Sequence, residues 1–186
     1  MRPLAAIAAV LTALLVGAPA ALPQSSLKVE RRTALEAAVV REMNRVRATH
    51  GLRPLRAAPS LRTAARGHSL SMLELGYFSH DSADGTAFSD RIKRHYSNRG
   101  WRTWSVGEAL LASQGKTVDA PGIVAAWLAS PPHREIILSP TWRDAGIGAL
   151  YAPTAPREYG GAETIVVTAD FGMREGKTEL ALSLLP

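Results

Sequence analysis

A double proline, Pro131-Pro132, constrains this chain more than any other feature of its 186 residues. Proline lacks a backbone N–H and its ring clashes with the preceding turn, so it stops a helix. Its fixed φ also suits the first turn of the next helix. The apolar run Ile123 to Ser130 therefore ends here, and a new helical run, His133 to Leu138, begins. His133 is thereby held at a helix N-terminus, on a corner between two elements. Two other segments carry side chains that could meet it there: Tyr77-Phe78-Ser79-His80 and Gly107-Glu108.

Whether the chain can bury such a corner is a question of size and composition. With 46% hydrophobic and 20% charged residues it suits one globular domain with a real core, and it shows no internal repeat. Met1-Arg2, the apolar run Leu4 to Val16 and the small residues Ala18-Pro19-Ala20 form the pattern of a cleaved secretory signal. An uncleaved anchor is the alternative, but a spanning helix needs roughly 20 apolar residues. The expected organisation is a signal over residues 1–20, a polar linker over 21–32, one domain over 33–175 and a tail over 176–186.

There are no cysteines. Outside the cytoplasm, where small domains often depend on disulfides, this one must stand on core packing. Cysteine nucleophiles and thiolate metal ligands are excluded. The net charge of +6 is mostly arginine, scattered along the chain with no basic block alternating with aromatics. That excludes a nucleic-acid partner and leaves contact with an anionic envelope surface open.

Thr33 to Thr49 carries an apolar stripe, Leu35, Val39, Met43 and Val46, at helical spacing. Thr33 and Glu36 fit a capping box, His50-Gly51 a helix end, and Asn44 a buried hydrogen-bonding position. A second helix, about Ser60 to Leu75, turns Leu61, Ala65, Met72 and Leu75 inward, with His68 on the same face as a core histidine satisfied by one hydrogen bond. Gly76 ends it. Tyr77 to Tyr96 is a loop that opens on an aromatic pair expected to be buried, and it holds one short helix beginning at Ser89. Val118 to Ser130 is helical, with Ile123, Val124 and Trp127 inward. Ala145 to Tyr151 and Thr164 to Phe171 read as strands joined by a hairpin loop. Helices come first and strands late, without a βαβ rhythm, so the class is α+β: an antiparallel sheet covered by helices.

Glu108 is a lone carboxylate among apolar residues, costly to bury unless paired. His80 follows an aromatic anchor in a loop, the setting of a positioned group.

Taken together, these pieces resemble a known family. In order they are Asn44-Arg45-x-Arg47, Gly51-Leu52-x-Pro54-Leu55, Ala65-x-x-His68-Ser69, Tyr77-Phe78-Ser79-His80, Asp84-Gly85, Gly107-Glu108, Trp127-x-x-Ser130-Pro131-Pro132-His133-Arg134, Ile136-x-Leu138 and Gly146-Ile147-Gly148. The sequence is similar to the CAP superfamily, or SCP domain, and to its bacterial, cysteine-free branch, from about Glu36 to Phe171. The resemblance implies a three-layer α-β-α sandwich with a small antiparallel sheet and a large central cleft. It also implies that His80, Glu108 and His133 are the cleft residues, the candidates for any catalysis, and that some relatives hold a divalent metal through the histidines. By that correspondence His80 and His133 are the candidate metal ligands, with Zn2+ or another divalent ion as the cofactor. The family's second acidic residue falls at Ser130, and Asp81 or Glu135 are its candidate substitutes.

Three functions follow. The favoured one is a secreted, monomeric binding module whose cleft takes a small ligand, a lipid or a fragment of envelope polymer. The second is a hydrolase using a metal-bound or Glu108-activated water. The third is a structural or interaction protein of the envelope.

Overall fold

The computed structural model describes residues 27–115 and 117–178. The signal expected over residues 1–20 lies outside the described residues. Glu30–Arg31, inside the expected linker, forms β1, and it is followed by α1 (Thr33–Thr49), β2 (Arg56–Ala57), α2 (Pro59–Leu75) and α3 (Phe88–Lys93). Next come β3 (Trp101–Gln114), α4 (Ala120–Ala129), α5 (Pro131–Ile137), β4 (Asp144–Ala152) and β5 (Thr164–Lys177).

The sheet runs β1-β4-β5-β3, antiparallel throughout, and the two-residue β2 pairs parallel to β4. β5 is hydrogen-bonded on both sides, and its residues from Thr164 to Met173 are all buried. Strand side chains alternate between faces, and β5 is apolar on one face and mixed on the other, where Thr164, Thr168 and Asp170 are buried beside Val166. Ile165, Val167, Ala169, Phe171 and Met173 pack with α1, α4 and α5 around Val39, Met43, Ile123, Trp127 and Ile137. Val166 packs on the opposite face with Met72 and Leu73 of α2. The result is the three-layer α-β-α sandwich.

α2 lies unusually close to β4. A Cβ on Gly148 would sit 2.4 Å from the Arg66 backbone nitrogen, so glycine is required there by contact. Ser69 on the same helix shares a hydrogen bond with Thr168 of β5 at 2.8 Å. Glu36 and Arg66 tie α1 to α2 through a nearly buried ion pair (Nε–Oε1 2.8 Å).

Several local expectations need correction. No side chain caps α1, because Glu36 is drawn inward to Arg66 and to the Ala149 N–H instead of back to its own helix start. Leu75 and Phe78, expected to face inward, are 50% and 43% exposed. α2 has run past the sheet by Leu75, and Phe78 projects from the loop beyond it, leaving Tyr77 alone as the half-buried anchor. Asn44 is half-buried, not buried, but makes the hydrogen bonds expected of it: its amide accepts from Leu55 N–H at 2.7 Å and donates to the Leu55 carbonyl at 2.9 Å.

Candidate functional site

The site forms where β3, the edge strand, passes the loop after α2. Gly107 is needed because the Trp142 ring lies 2.7 Å from where its Cβ would be. That close approach on one face turns Glu108 to the other, among α2, α3 and the loop. Its carboxyl is almost wholly buried (side chain 1% exposed) and both oxygens are engaged. His80 Nδ1 lies 2.8 Å from Oε1, and the Arg91 guanidinium, from α3, bonds Oε2. Arg91 also donates to the His80 carbonyl at 2.8 Å, so one side chain fixes both the carboxylate and the loop that carries its partner.

These contacts set the tautomer. A carboxylate can only accept, so His80 Nδ1 carries the hydrogen and Nε2 is the free nitrogen. The His80 side chain is 50% exposed. The bond to Glu108 holds its pKa above the ordinary histidine value, against some desolvation. His68 is the core histidine expected: Nε2 donates to the Ser79 carbonyl at 2.9 Å, Nδ1 has no partner, and burial lowers its pKa.

His133, in the first turn of α5, makes no hydrogen bond to His80 or Glu108 in the described residues. Burial lowers its pKa first, and the charge of His80 lowers it further, which places the two rings within electrostatic reach. The structure thus joins His80 to Glu108 directly and brings His133 to their neighbourhood. Ser130 ends α4 and precedes α5 without a side-chain cap bond.

Two residues were missed by sequence reasoning. Arg91 lay in a short helix beside Asp90, with nothing in the sequence to show that its partner would be Glu108 on a distant strand. Asp170 had a readable signal, as a single acid inside the β-branched run of β5. It is fully buried and stands opposite Glu108 across the β3–β5 ladder.

A hydrogen-bonded Glu–His pair beside a second imidazole can orient a polar ligand, accept a proton at His80 Nε2, or offer that nitrogen to a metal. Among the described residues no set of three or more His, Cys, Asp or Glu side chains is placed to hold an ion. A catalytic zinc takes three protein ligands. Here Glu108 is already committed and Arg91 adds positive charge, so the donor set does not fit zinc well.

Fold and site together define a class: a CAP, or SCP, domain. The chain belongs to the cysteine-rich secretory protein family, which it matches over residues 40–171. Two Bacillus subtilis proteins are similar to it, an uncharacterized membrane protein YlbC (30% identical over 63% of this chain) and an uncharacterized protein YkwD (33% over 62%). The chain spans only 32% and 42% of the length of these relatives. An extracellular SCP-domain protein from Bacillus anthracis shares the fold with a TM-score of 0.58 at 25% identity, over 75% of this chain and 40% of that one. An outer surface protein of Borrelia burgdorferi does so with a TM-score of 0.62 at 20% identity, over 80% of this chain and 99% of that one. No helix among the described residues is long and apolar enough to cross a membrane.

Proposed function

We propose that this is a secreted CAP-domain binding module whose His80–Glu108–His133 site takes a small ligand, a lipid or a fragment of cell-envelope polymer. Export is supported by the signal pattern over residues 1–20 and by the extracellular and outer-surface character of the two structural neighbours. One observation carries the binding reading: Glu108 has both oxygens occupied, while His80 stands half-exposed with one nitrogen free. A general base needs a vacant lone pair aimed at the proton it removes. Glu108, its side chain 1% exposed and each oxygen already accepting a bond, turns none toward solvent, whereas His80 is fixed as a polar anchor for a ligand hydroxyl or acidic group. The competing reading is a metal-dependent hydrolase, favoured by the Glu108–His80 pair alone, since carboxylate-bound histidines commonly ligate metals.

The test is NMR of the His80 and His133 imidazoles during titration with a fatty acid and, separately, a soluble peptidoglycan fragment. Binding of either should move both rings and be lost in His80→Ala. A rise in melting temperature with zinc, abolished by His80→Ala or His133→Ala, together with no response to the organic probes, would overturn it in favour of the metal reading. Turnover of the fragment that disappears in a folded Glu108→Gln protein would make it an enzyme.

A further inference from the structure

Asp170 is fully buried, and neither of its oxygens accepts a hydrogen bond from any described donor. Such a carboxylate is costly, and its surroundings leave few remedies. Its neighbour on β4 is Gly146, which has no side chain to offer. The backbone of Leu61 and Arg62 in α2 closes over that glycine, with an added Cβ only 2.0 Å from the Arg62 nitrogen. Two residues along β5 on the same face, Gly172 lies under the Tyr96 ring, whose hydroxyl is already given to Asp144 at 2.7 Å. Two residues the other way, Thr168 shares its hydroxyl with Ser69. Arg91, the nearby cation, gives its two terminal nitrogens to His80, Ser82 and Glu108, and its Nε reaches no acceptor; what remains is Glu108, directly across the ladder and on the same face. Two carboxylates cannot bond one another, because both only accept. A single proton between them turns repulsion into an O–H···O bond.

We infer that Asp170 is a positioning residue, a neutral carboxylic acid that donates its O–H to Glu108 and gives the site a second carboxyl group from β5. Burial first, and then the charge of Glu108, hold its pKa well above the carboxylate range, with Arg91 opposing. The pair therefore carries one negative charge, matched by Arg91 from α3. Beyond Glu108 stand His80 from the loop, His68 from α2 and His133 from α5. His68 and His133 have lowered pKa values, so the net charge of the cluster changes chiefly with His80. This holds whether the site binds or catalyses, and its failure would leave the ligand-binding reading standing.

Two measurements on the full chain decide it. In a carboxyl 13C NMR titration of the unmodified protein, Asp170 should stay protonated through the range in which exposed carboxylates ionise, near their usual values of about 4. In Asp170→Asn, whose amide can still donate to Glu108, the titration midpoint of His80 should not move. In Asp170→Leu, which cannot donate, Glu108 becomes a stronger acceptor and the His80 midpoint should rise. The sign for stability follows: a carboxyl with a raised folded-state pKa contributes stability that is fully present below its unfolded value, about 3.9, and is lost as pH rises toward the folded one. Asp170→Asn should remove that part of the pH dependence. Ionisation of Asp170 in the ordinary range, or a His80 midpoint lowered by about a unit in Asp170→Asn, as loss of a nearby negative charge would produce, would overturn the inference. Should Asp170→Leu fail to fold, the titration of the unmodified chain and the asparagine variant still settle it.

Discussion

Arg91→Met should destabilise the protein by about 3–5 kcal/mol, the cost of breaking one partner out of a buried ion pair. The choice of that range over the 0–1 kcal/mol or so of a surface pair rests on exposure: the Arg91 side chain is 10% exposed and that of Glu108 is 1%. Loss of the hydrogen bond to the His80 carbonyl adds about 1 kcal/mol. Methionine retains apolar volume along the stem, so little of the loss should come from a cavity. Set against a typical total of about 5–15 kcal/mol, this is a large fraction of the fold's stability. The assay is urea denaturation of Arg91→Met, Glu108→Gln and the double variant. Once the carboxylate is neutral, the missing guanidinium matters less, so the double variant should be more stable than Arg91→Met alone. A single-variant cost under about 1 kcal/mol, or effects that add to within about 0.5 kcal/mol, would refute the claim that these groups act as one buried unit.

Two further outcomes follow from the geometry. Glu108→Gln should lower the His80 titration midpoint, because the Glu108 bond is the main cause of its rise. The pair's stability contribution is present below the unfolded histidine value of about 6.5 and lost as pH rises through the higher folded one, so Glu108→Gln should flatten stability across that window. Gly148→Ala should cost about 1–3 kcal/mol by chemical denaturation, since the new methyl meets the backbone of α2 and not a movable side chain. A neutral result would mean that α2 is not seated on β4 as described.

Much of this molecule was legible in its sequence for physical reasons that are local. The stripe of α1, the glycines that end α1 and α2, and the proline break before α5 each follow from short-range periodicity or backbone restriction. His80 and Glu108 were found by resemblance and by their odd surroundings. What stayed hidden was pairing across long separations. Thr33 and Glu36 have the spacing of a capping box, yet Arg66, on another helix, takes both Glu36 oxygens in a two-point ion pair. Arg91 belongs to the site only because α3 folds back onto β3. Leu75 was misplaced because periodicity shows which way a residue points but not where the neighbouring layer stops, and Phe78 because an aromatic side chain in a loop need not find a layer to cover it.

The loop that carries His80 is held by its carbonyls. The Tyr77 carbonyl accepts from the Tyr159 hydroxyl at 2.7 Å, that of Ser79 from His68 at 2.9 Å, and that of His80 from Arg91 at 2.8 Å. These three donors come from different parts of the fold: a turn after β4, α2 and α3. Ordering a residue's backbone costs about 1–2 kcal/mol, and here that cost is met during folding, before any ligand arrives. If His80 receives the ligand proposed above, association would meet a preorganised surface, and its rate should be governed by encounter rather than by loop closure.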